Sequence, residues 1–471
     1  MFKSKNDSSE GPPQQELIKL SDHYKNRRYD KAEKLAVLIT QQFSEHQFSW
    51  KILGAIFRQT GRIAEALIAN QTAVAINSQD AAAQSNLGVT LKNLGRLGEA
   101  EASYRKAIAV KSDYAAAHYN LAITLQALGR LEEAEASCRQ AISLKPNYAE
   151  AHCKLGIMLK ELGRLEEAEA SYGQAITLKP QYTAAFMNRW KLLFDKGEFE
   201  AALKDADFCN TKISRMHSLE TLYALGRIEE IYKRIEMQSE VDDKNIRVAS
   251  FASFFAETEK KETAHNFCNK PMDFIHFSNV SSHLKNSNLF LTQLIDELYE
   301  LTTIWEPSGK TTKKGFQTPP ISEMNLFKNP PVKLQRLKSI IIDELDSYYS
   351  KFQNKACSYI QNWPSEKNLL GWQVILKQQG YQAAHIHPGG WLSGVIYLKV
   401  VPSLEKDEGA IEFSLNGDHF SNVNSPKLTY QPEVGDIVFF PSSLHHRTIP
   451  FTTDMDRVII SFDLIPEAIT H

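Results

Sequence analysis

KELGRLEEAEASYGQAI, residues 160–176, reads as the turn and second half of a helical hairpin. Two close copies precede it, QALGRLEEAEASCRQAI at 126–142 and KNLGRLGEAEASYRKAI at 92–108, so that Gly95, Gly129 and Gly163 recur at intervals of 34. The register extends back to Gly61 and on to Gly197. Five residues after each glycine stands an alanine (Ala66, Ala100, Ala134, Ala168, Ala202), and twelve after stand Ala73, Ala107, Ala141, Ala175 and then Cys209. Seven before each come Gly54, Gly88, Ala122, Gly156, and then Trp190, where the small-residue pattern breaks. Small residues at fixed positions let two antiparallel helices approach closely. Each glycine supplies the turn between them, and Pro146 and Pro180 stop the second helix.

The period and its small positions closely resemble the tetratricopeptide repeat (TPR). The resemblance implies an all-α superhelix over 13–236, with about six repeats and an off-register capping helix in LYALGRIEEIYKRIE (222–236). It also implies a protein or peptide partner, held on a concave face lined by the first helix of each repeat. Asn86, Asn120 and Asn188 share one repeat position. Their amides can donate to and accept from an extended peptide at once, which makes them candidate partner-binding residues; a simple preference for asparagine in that slot fits equally well. Residues 1–12 are polar and read as a disordered tail.

Size and charge bound the rest. At 471 residues the chain exceeds one ordinary core. With 54 basic against 56 acidic side chains, a net charge of −2 gives no argument for nucleic acid or an anionic membrane surface. No apolar run is long enough to span a bilayer, and the opening MFKSKNDSSEGPPQQE has no apolar centre of a signal peptide. Five scattered cysteines without a CxxC pair point to a reducing, cytoplasmic setting.

Beyond 236 the period is lost. Residues 237–270 are charged and read as a helical connector, and 271–471 as a separate domain. Two amphipathic stretches, 284–304 and 332–353, precede short β-rich runs: LSGVIYLKVV, GAIEFSL, GDIVFFP and DRVIISFDL. The gaps are too short for crossover helices, so the strands are expected to pair antiparallel in a barrel. In HIHPGG (385–390) side chains alternate, which puts His385 and His387 on one face. FPSSLHHRTIPF (440–451) then brings His445 and His446, and RVIISFDL (457–464) brings Arg457.

Region 370–465 resembles the iron(II)/2-oxoglutarate-dependent dioxygenases of the prolyl-hydroxylase-like set. The motifs that carry the likeness are HIHPGGWLSGVIYL, FPSSLHHRTIPF and RVIISFDL, with TTKKGFQTPP and NLF upstream, so that it covers roughly 280–465. It implies a multidomain α + β chain whose second part is a double-stranded β-helix (jelly-roll), with Fe(II), 2-oxoglutarate and O2 as cofactor and cosubstrates. By the same resemblance His385 is the first metal ligand and His387 occupies the third-ligand slot. His446 is the distal ligand, and Arg457 with Tyr397 grips the far carboxylate of 2-oxoglutarate. The usual residue two after the first histidine is Asp or Glu. A neutral imidazole there leaves the centre one unit more positive; alternatively His387 stands back and the slot is open or filled by Glu412. His445 is expected to be exposed or beside the substrate entrance, and Asp407 and Glu408 merely solvated. The implied activity is hydroxylation of a protein or peptide recruited by the repeats. The alternative is a non-catalytic TPR adaptor with a degenerate barrel. A three-histidine dioxygenase that needs no 2-oxoglutarate would leave Arg457 and Tyr397 without an anionic partner.

Overall fold

A computed structural model describes residues 11–307, 310–319 and 324–466. Residues 1–10 of the expected tail, and part of the TTKKGFQTPP…NLF segment, lie outside them. The chain divides between Glu198 and Phe199 into two compact units.

The first unit is a stack of antiparallel helix pairs, beginning with Gln14–Lys25 and Tyr29–Gln42 and running through Ala149–Glu161 and Leu165–Leu178 to Thr183–Asp195. Within each pair the turn glycine has a positive φ, 72° at Gly95 and 76° at Gly129 and Gly163, which closes the first helix as a left-handed cap. The repeated alanines are fully buried, as Ala100, Ala107, Ala134, Ala141, Ala168 and Ala175 show. The small residue seven before the turn has a specific partner. A Cβ on Gly88 would sit 2.7 Å from the Tyr104 ring, and one on Gly156 would sit 2.6 Å from the Tyr172 ring. In the repeat between them Ala122 is accommodated where the position of the tyrosine is taken by the smaller Cys138. Arginine–glutamate links between successive repeats, such as Arg130–Glu101 at 2.8 Å and Arg164–Glu135 at 2.7 Å, are half-exposed on the arginine side. Pairs of that kind contribute about 0.2–1 kcal/mol each, so the small-residue seam holds the stack.

The second unit opens with helices Phe199–Cys209, Lys212–Ala224, Ile228–Met237 and Ile246–Glu259. Its strands are β1 (His276–Asn279), β2 (Ile304–Trp305), β3 (Thr312–Gln317), β4 (Asn368–Gln382), β5 (Leu392–Lys399), β6 (Ile411–Ser414), β7 (Lys427–Tyr430), β8 (Asp436–Pro441), β9 (His445–Thr448) and β10 (Arg457–Ile465). They form a seven-stranded sheet in the order β1-β8-β5-β10-β4-β3-β2 and a three-stranded sheet β7-β6-β9, with antiparallel pairing throughout. This is the two-sheet arrangement of a jelly-roll. One face of the large sheet turns Ile375, Ile396, Ile437 and Ile460 toward the helix Val332–Phe352. The other turns Val374, Leu376, Tyr397 and Phe440 toward Phe413 of the small sheet.

The stretch expected as a connector, 237–270, contains the most buried helix of this unit. Ile246 and every residue from Val248 to Phe255 are buried, and Phe251 and Phe254 pack on Phe420 at 5.2 and 4.7 Å between ring centroids. A helix apolar on all sides belongs inside a core; the charged residues flanking VASFASFF disguise it in the sequence.

The seam makes a testable demand. Gly156→Ala gains about 1 kcal/mol of helix propensity but drives a methyl into the Tyr172 ring, an overpacking cost of about 1–3 kcal/mol. The helical circular-dichroism melt is expected to shift down, and adding Tyr172→Cys, which copies the Ala122–Cys138 repeat, to restore most of the loss.

Candidate metal centre

Past the end of β4 the chain runs alongside β9. The amide of His385 donates to the carbonyl of His446 (3.0 Å), and the amide of His446 returns the bond (3.1 Å). The His387 amide donates to the Ser442 carbonyl at 3.0 Å. This ribbon turns His385, His387 and His446 to one point: ring centroids are 4.3–5.0 Å apart, and a ring nitrogen from each lies within 4.8 Å of the others. Phe440 and Phe413 pack on the His446 ring at 4.5 and 6.3 Å.

The second nitrogen of each ring fixes the chemistry of the first. His385 Nδ1 lies 2.7 Å from the Ala383 carbonyl and His446 Nδ1 lies 3.3 Å from the Leu444 carbonyl. Carbonyls only accept, so both Nδ1 atoms carry the proton. His387 Nδ1 is 2.6 Å from Asp463 Oδ1, again an acceptor. In the neutral form, the one that binds a metal, each Nε2 then presents a lone pair inward. His385 Nε2 and His387 Nε2 face each other at 3.1 Å. Two lone pairs at that distance repel unless a cation lies between them, and two metal–nitrogen bonds of about 2.1 Å meeting at a right angle put their nitrogens about 3 Å apart. Burial disfavours the charged form of two of the rings: His385 is pushed down to about 3 and His446 well below the usual histidine range, with the neighbouring imidazoles adding to the effect. Convergent and oriented from behind, the three side chains fit a transition-metal ion.

Asp463 is the residue the sequence reading missed. It is buried, takes the His387 proton at Oδ1 and accepts from Ser393 Oγ at 2.7 Å, while Ser393 and Ser442 hydroxyls lie 2.8 Å apart. Asp463 and Ser393 are direct cross-strand partners. The available signal was the strand RVIISFDL, where an acid six residues after Arg457 shares its face.

Glu412 does not join the histidines. It alternates with the inward Phe413 on β6, and its carboxylate pairs with Arg447 of β9 at 2.8 Å. His445 corrects the expectation of exposure. It is buried, its Nδ1 lies 3.0 Å from Ser250 Oγ, and Phe420 stands edge-on to it, because the outer face of β9 is covered by the helix Ile246–Glu259. Glu408 likewise is not merely solvated: its carboxylate accepts from the amides of Leu404, Glu405 and Thr452.

Arg457 is 1 % exposed. Nη1 donates to Thr448 Oγ1 at 3.0 Å, and the guanidinium lies over the Tyr397 ring, 5.1 Å from its centroid. Arg457 Nε and the Tyr397 hydroxyl are buried without a hydrogen-bond partner, and among the described residues no carboxylate pairs with the guanidinium. Thr448 follows His446 by two residues on one strand face, so the guanidinium's anchor stands about 7 Å from the histidine cluster. A pocket of about 430 Å³ opens onto His385 and His387, with Trp372, Gln382 and Arg247 in its wall. In the first unit Asn86, Asn120 and Asn188 are half-buried on first helices. Asn188 Nδ2 lies 3.7 Å from Cys153 Sγ; the amides of Asn86 and Asn120 make no hydrogen bond among the described residues.

Residues 371–463 match the family model described as "Putative 2OG-Fe(II) oxygenase". Three tetratricopeptide repeat models match 19–81, 91–129 and 113–181. The chain thus joins a TPR array to a domain of the 2OG-Fe(II) oxygenase type. No curated protein matches it. Among solved structures it is similar to a thermophilic TPR protein from Thermus thermophilus (24% identity, 38% of this chain and 98% of that one, TM-score 0.34). It is also similar to a tetratricopeptide repeat protein from Parabacteroides merdae (18%, 48% and 91%, TM-score 0.38) and to YrrB, "a TPR protein with an unusual peptide-binding site" (21%, 37% and 90%, TM-score 0.32).

Two outcomes follow from the site. Asp463→Asn is expected to weaken Co(II) or Fe(II) binding about 10–100-fold, the usual cost of losing the group behind a ligating imidazole. In a His387→Asp background the same change is expected to cost little or to tighten binding, since it removes a like charge beside the new carboxylate; equal losses in both backgrounds would refute the role. The second outcome concerns acid. His445 is pushed down to about 4 by burial and His385 to about 3, whereas the unfolded chain protonates histidine near 6.5. Below about 6.5 the unfolded state binds more protons than the folded one, so stability should fall as pH drops, by up to about 1.4 kcal/mol per pH unit per histidine, until the folded groups titrate. Thermal melts of the metal-free chain between pH 7 and 4.5 test this, and His445→Gln should shallow the slope.

Proposed function

We propose that the second unit is an Fe(II)- and 2-oxoglutarate-dependent oxygenase that hydroxylates a polypeptide gathered by the repeats. His385, His387 and His446 would hold the iron, and Arg457 with Tyr397 would hold the far carboxylate of 2-oxoglutarate. When bound, iron and 2-oxoglutarate supply oxidative decarboxylation to succinate and CO2 coupled to insertion of one oxygen atom of O2 into a C–H bond. The chain's own part is to orient, to neutralise and to exclude water. Ser393 and Asp463 set the plane of the His387 ring. Phe413 and Phe440 wall the His446 ring from solvent, and Trp372 stands against His387 at 5.4 Å.

The observation that carries the reading is the Arg457 guanidinium. Burying an ion costs roughly several kcal/mol, and an unpaired one recovers little of it. Its unused donor, the unpartnered Tyr397 hydroxyl and an anchor about 7 Å from the histidines suit a short dicarboxylate that reaches from the metal to the arginine. A non-catalytic adaptor has no use for that arrangement, nor has a three-histidine dioxygenase without 2-oxoglutarate.

Recruitment by the first unit raises the concentration of a weakly held peptide at the site to the order of millimolar when the tether allows it. Asn86, Asn120 and Asn188 are the side chains we assign to that surface. No described helix is long and apolar enough to cross a membrane, and all five cysteines are unpaired, which suits a reducing cytoplasm.

Full-length protein supplied anaerobically with Fe(II), then with O2 and 2-oxoglutarate, is expected to release succinate. Arg457→Met should raise the KM for 2-oxoglutarate by a hundredfold or more, about the worth of a charge-assisted pair in a dry site, while raising the melting temperature because an unpaired buried charge is gone. Neither succinate nor 2-oxoglutarate binding from the metal-loaded chain would leave the adaptor reading in its place.

A further inference from the structure

In the helix Ile246–Glu259 every residue from Ile246 to Phe255 is buried except one, Arg247. Arg247 lines the pocket that opens onto His385 and His387, together with Lys310, Thr311 and Gln382. It is half-buried, and among the described residues it makes no hydrogen bond and no ion pair. Burial pushes its pKa below the usual arginine range, and only the charge of Glu220 acts against that. The Glu220 carboxylate is itself held by His217 Nδ1 at 2.7 Å. The single acid in the pocket wall, Asp463, is taken by His387 and Ser393. Among the described residues the pocket therefore presents two cations, Arg247 and Lys310, without an acidic partner, and no uncommitted acid.

The arginine's place is fixed by its helix. Ser250, three residues on and on the same face, bonds to His445, the neighbour of His446. Phe251 and Phe254 wedge against Phe420. A rotation that swung Arg247 to solvent would pull Ser250 off His445 and lift two buried rings. A guanidinium held in a partly dry wall with all its donors open is matched by a planar, two-oxygen anion.

We infer that Arg247 is the specificity-determining residue for the substrate, binding an anionic oxygen group, carboxylate or phosphate, that the substrate carries close to the carbon to be oxidised. The inference rests on the oxygenase reading, in which Arg457 already answers the far carboxylate of the cosubstrate and leaves Arg247 for a second anion. The substrate is then an acidic or phosphorylated segment, with Lys310 at the rim reinforcing the same sign.

The test uses the full chain with Fe(II), ascorbate, O2 and 2-oxoglutarate, presented with a randomised synthetic peptide library that includes phosphoserine and read by mass spectrometry for gain of one oxygen. Oxidised peptides are expected to be enriched about tenfold or more in Asp and Glu, or in phosphoserine, at a fixed offset from the modified residue, which separates the two anions; tenfold is about the worth of one charge-assisted hydrogen bond. Arg247→Glu is expected to exchange that preference for Lys or Arg, and Arg247→Gln to flatten it. Oxidised peptides with no acid preference, no oxidised peptide beside ample succinate, or an unchanged preference in Arg247→Glu would overturn the inference alone. So would an Arg247→Gln variant that keeps the preference and instead raises the KM for 2-oxoglutarate, since the arginine would then serve the cosubstrate. Absence of succinate from the wild type would remove the oxygenase reading, and the inference with it.

Discussion

The centre depends on the reciprocal backbone hydrogen bonds between His385 and His446. Side chains on paired strands alternate with a period of two, so a slip of one residue would turn His446 outward and bring His445 in. His445 would then lose Ser250, and the helix Ile246–Glu259 would lose its polar link to β9. Further bonds guard the register: His387 to Ser442 on the same ribbon, and the ladder that sets Ser393 opposite Asp463. Gly390 completes the constraint. A Cβ there would lie 2.5 Å from Ser442 Oγ and 3.1 Å from Asp463 Cγ, inside the network that orients His387.

That network also bears on the charge of the centre. In the proposed oxygenase, with His387 in the slot where the resemblance implies a carboxylate, a divalent ion would meet three imidazole donors. Asp463 would place a carboxylate one imidazole away. The proton it accepts from Nδ1 makes His387 a stronger donor, and the buried carboxylate is in turn held by Ser393. In the proposed oxygenase the carboxylate would stand one ring further out, where it would orient and polarise without occupying a position on the metal.

Much of this was legible in the sequence, for identifiable reasons. The 34-residue period is explicit, and its glycines and alanines sit in the structure where close packing needs them. His385 and His387 were readable because alternation on a strand is local. Asp463 was not, since its partner is 76 residues away and only the pairing of β5 with β10 brings them together. His445 was misjudged because its cover comes from a helix nearly two hundred residues earlier. Charged neighbours hid that helix in the sequence, and Arg247 with it. Glu412 was a reasonable candidate by composition, but it lies one residue from the inward face of its strand.

The alternation of Gly88 with Tyr104, Ala122 with Cys138 and Gly156 with Tyr172 has a consequence for how the chain finds itself. Three nearly identical hairpins in succession invite confusion, because each second helix could dock on a neighbour's first helix with the same charge pattern and the same alanines. The seam breaks that degeneracy. A tyrosine helix offered to Ala122 would collide with its methyl, and the Cys138 helix offered to Gly88 or Gly156 would leave a void where a ring belongs. The middle hairpin thus works as a key cut differently from its neighbours, and a single methyl group distinguishes self from near-copy while the array assembles.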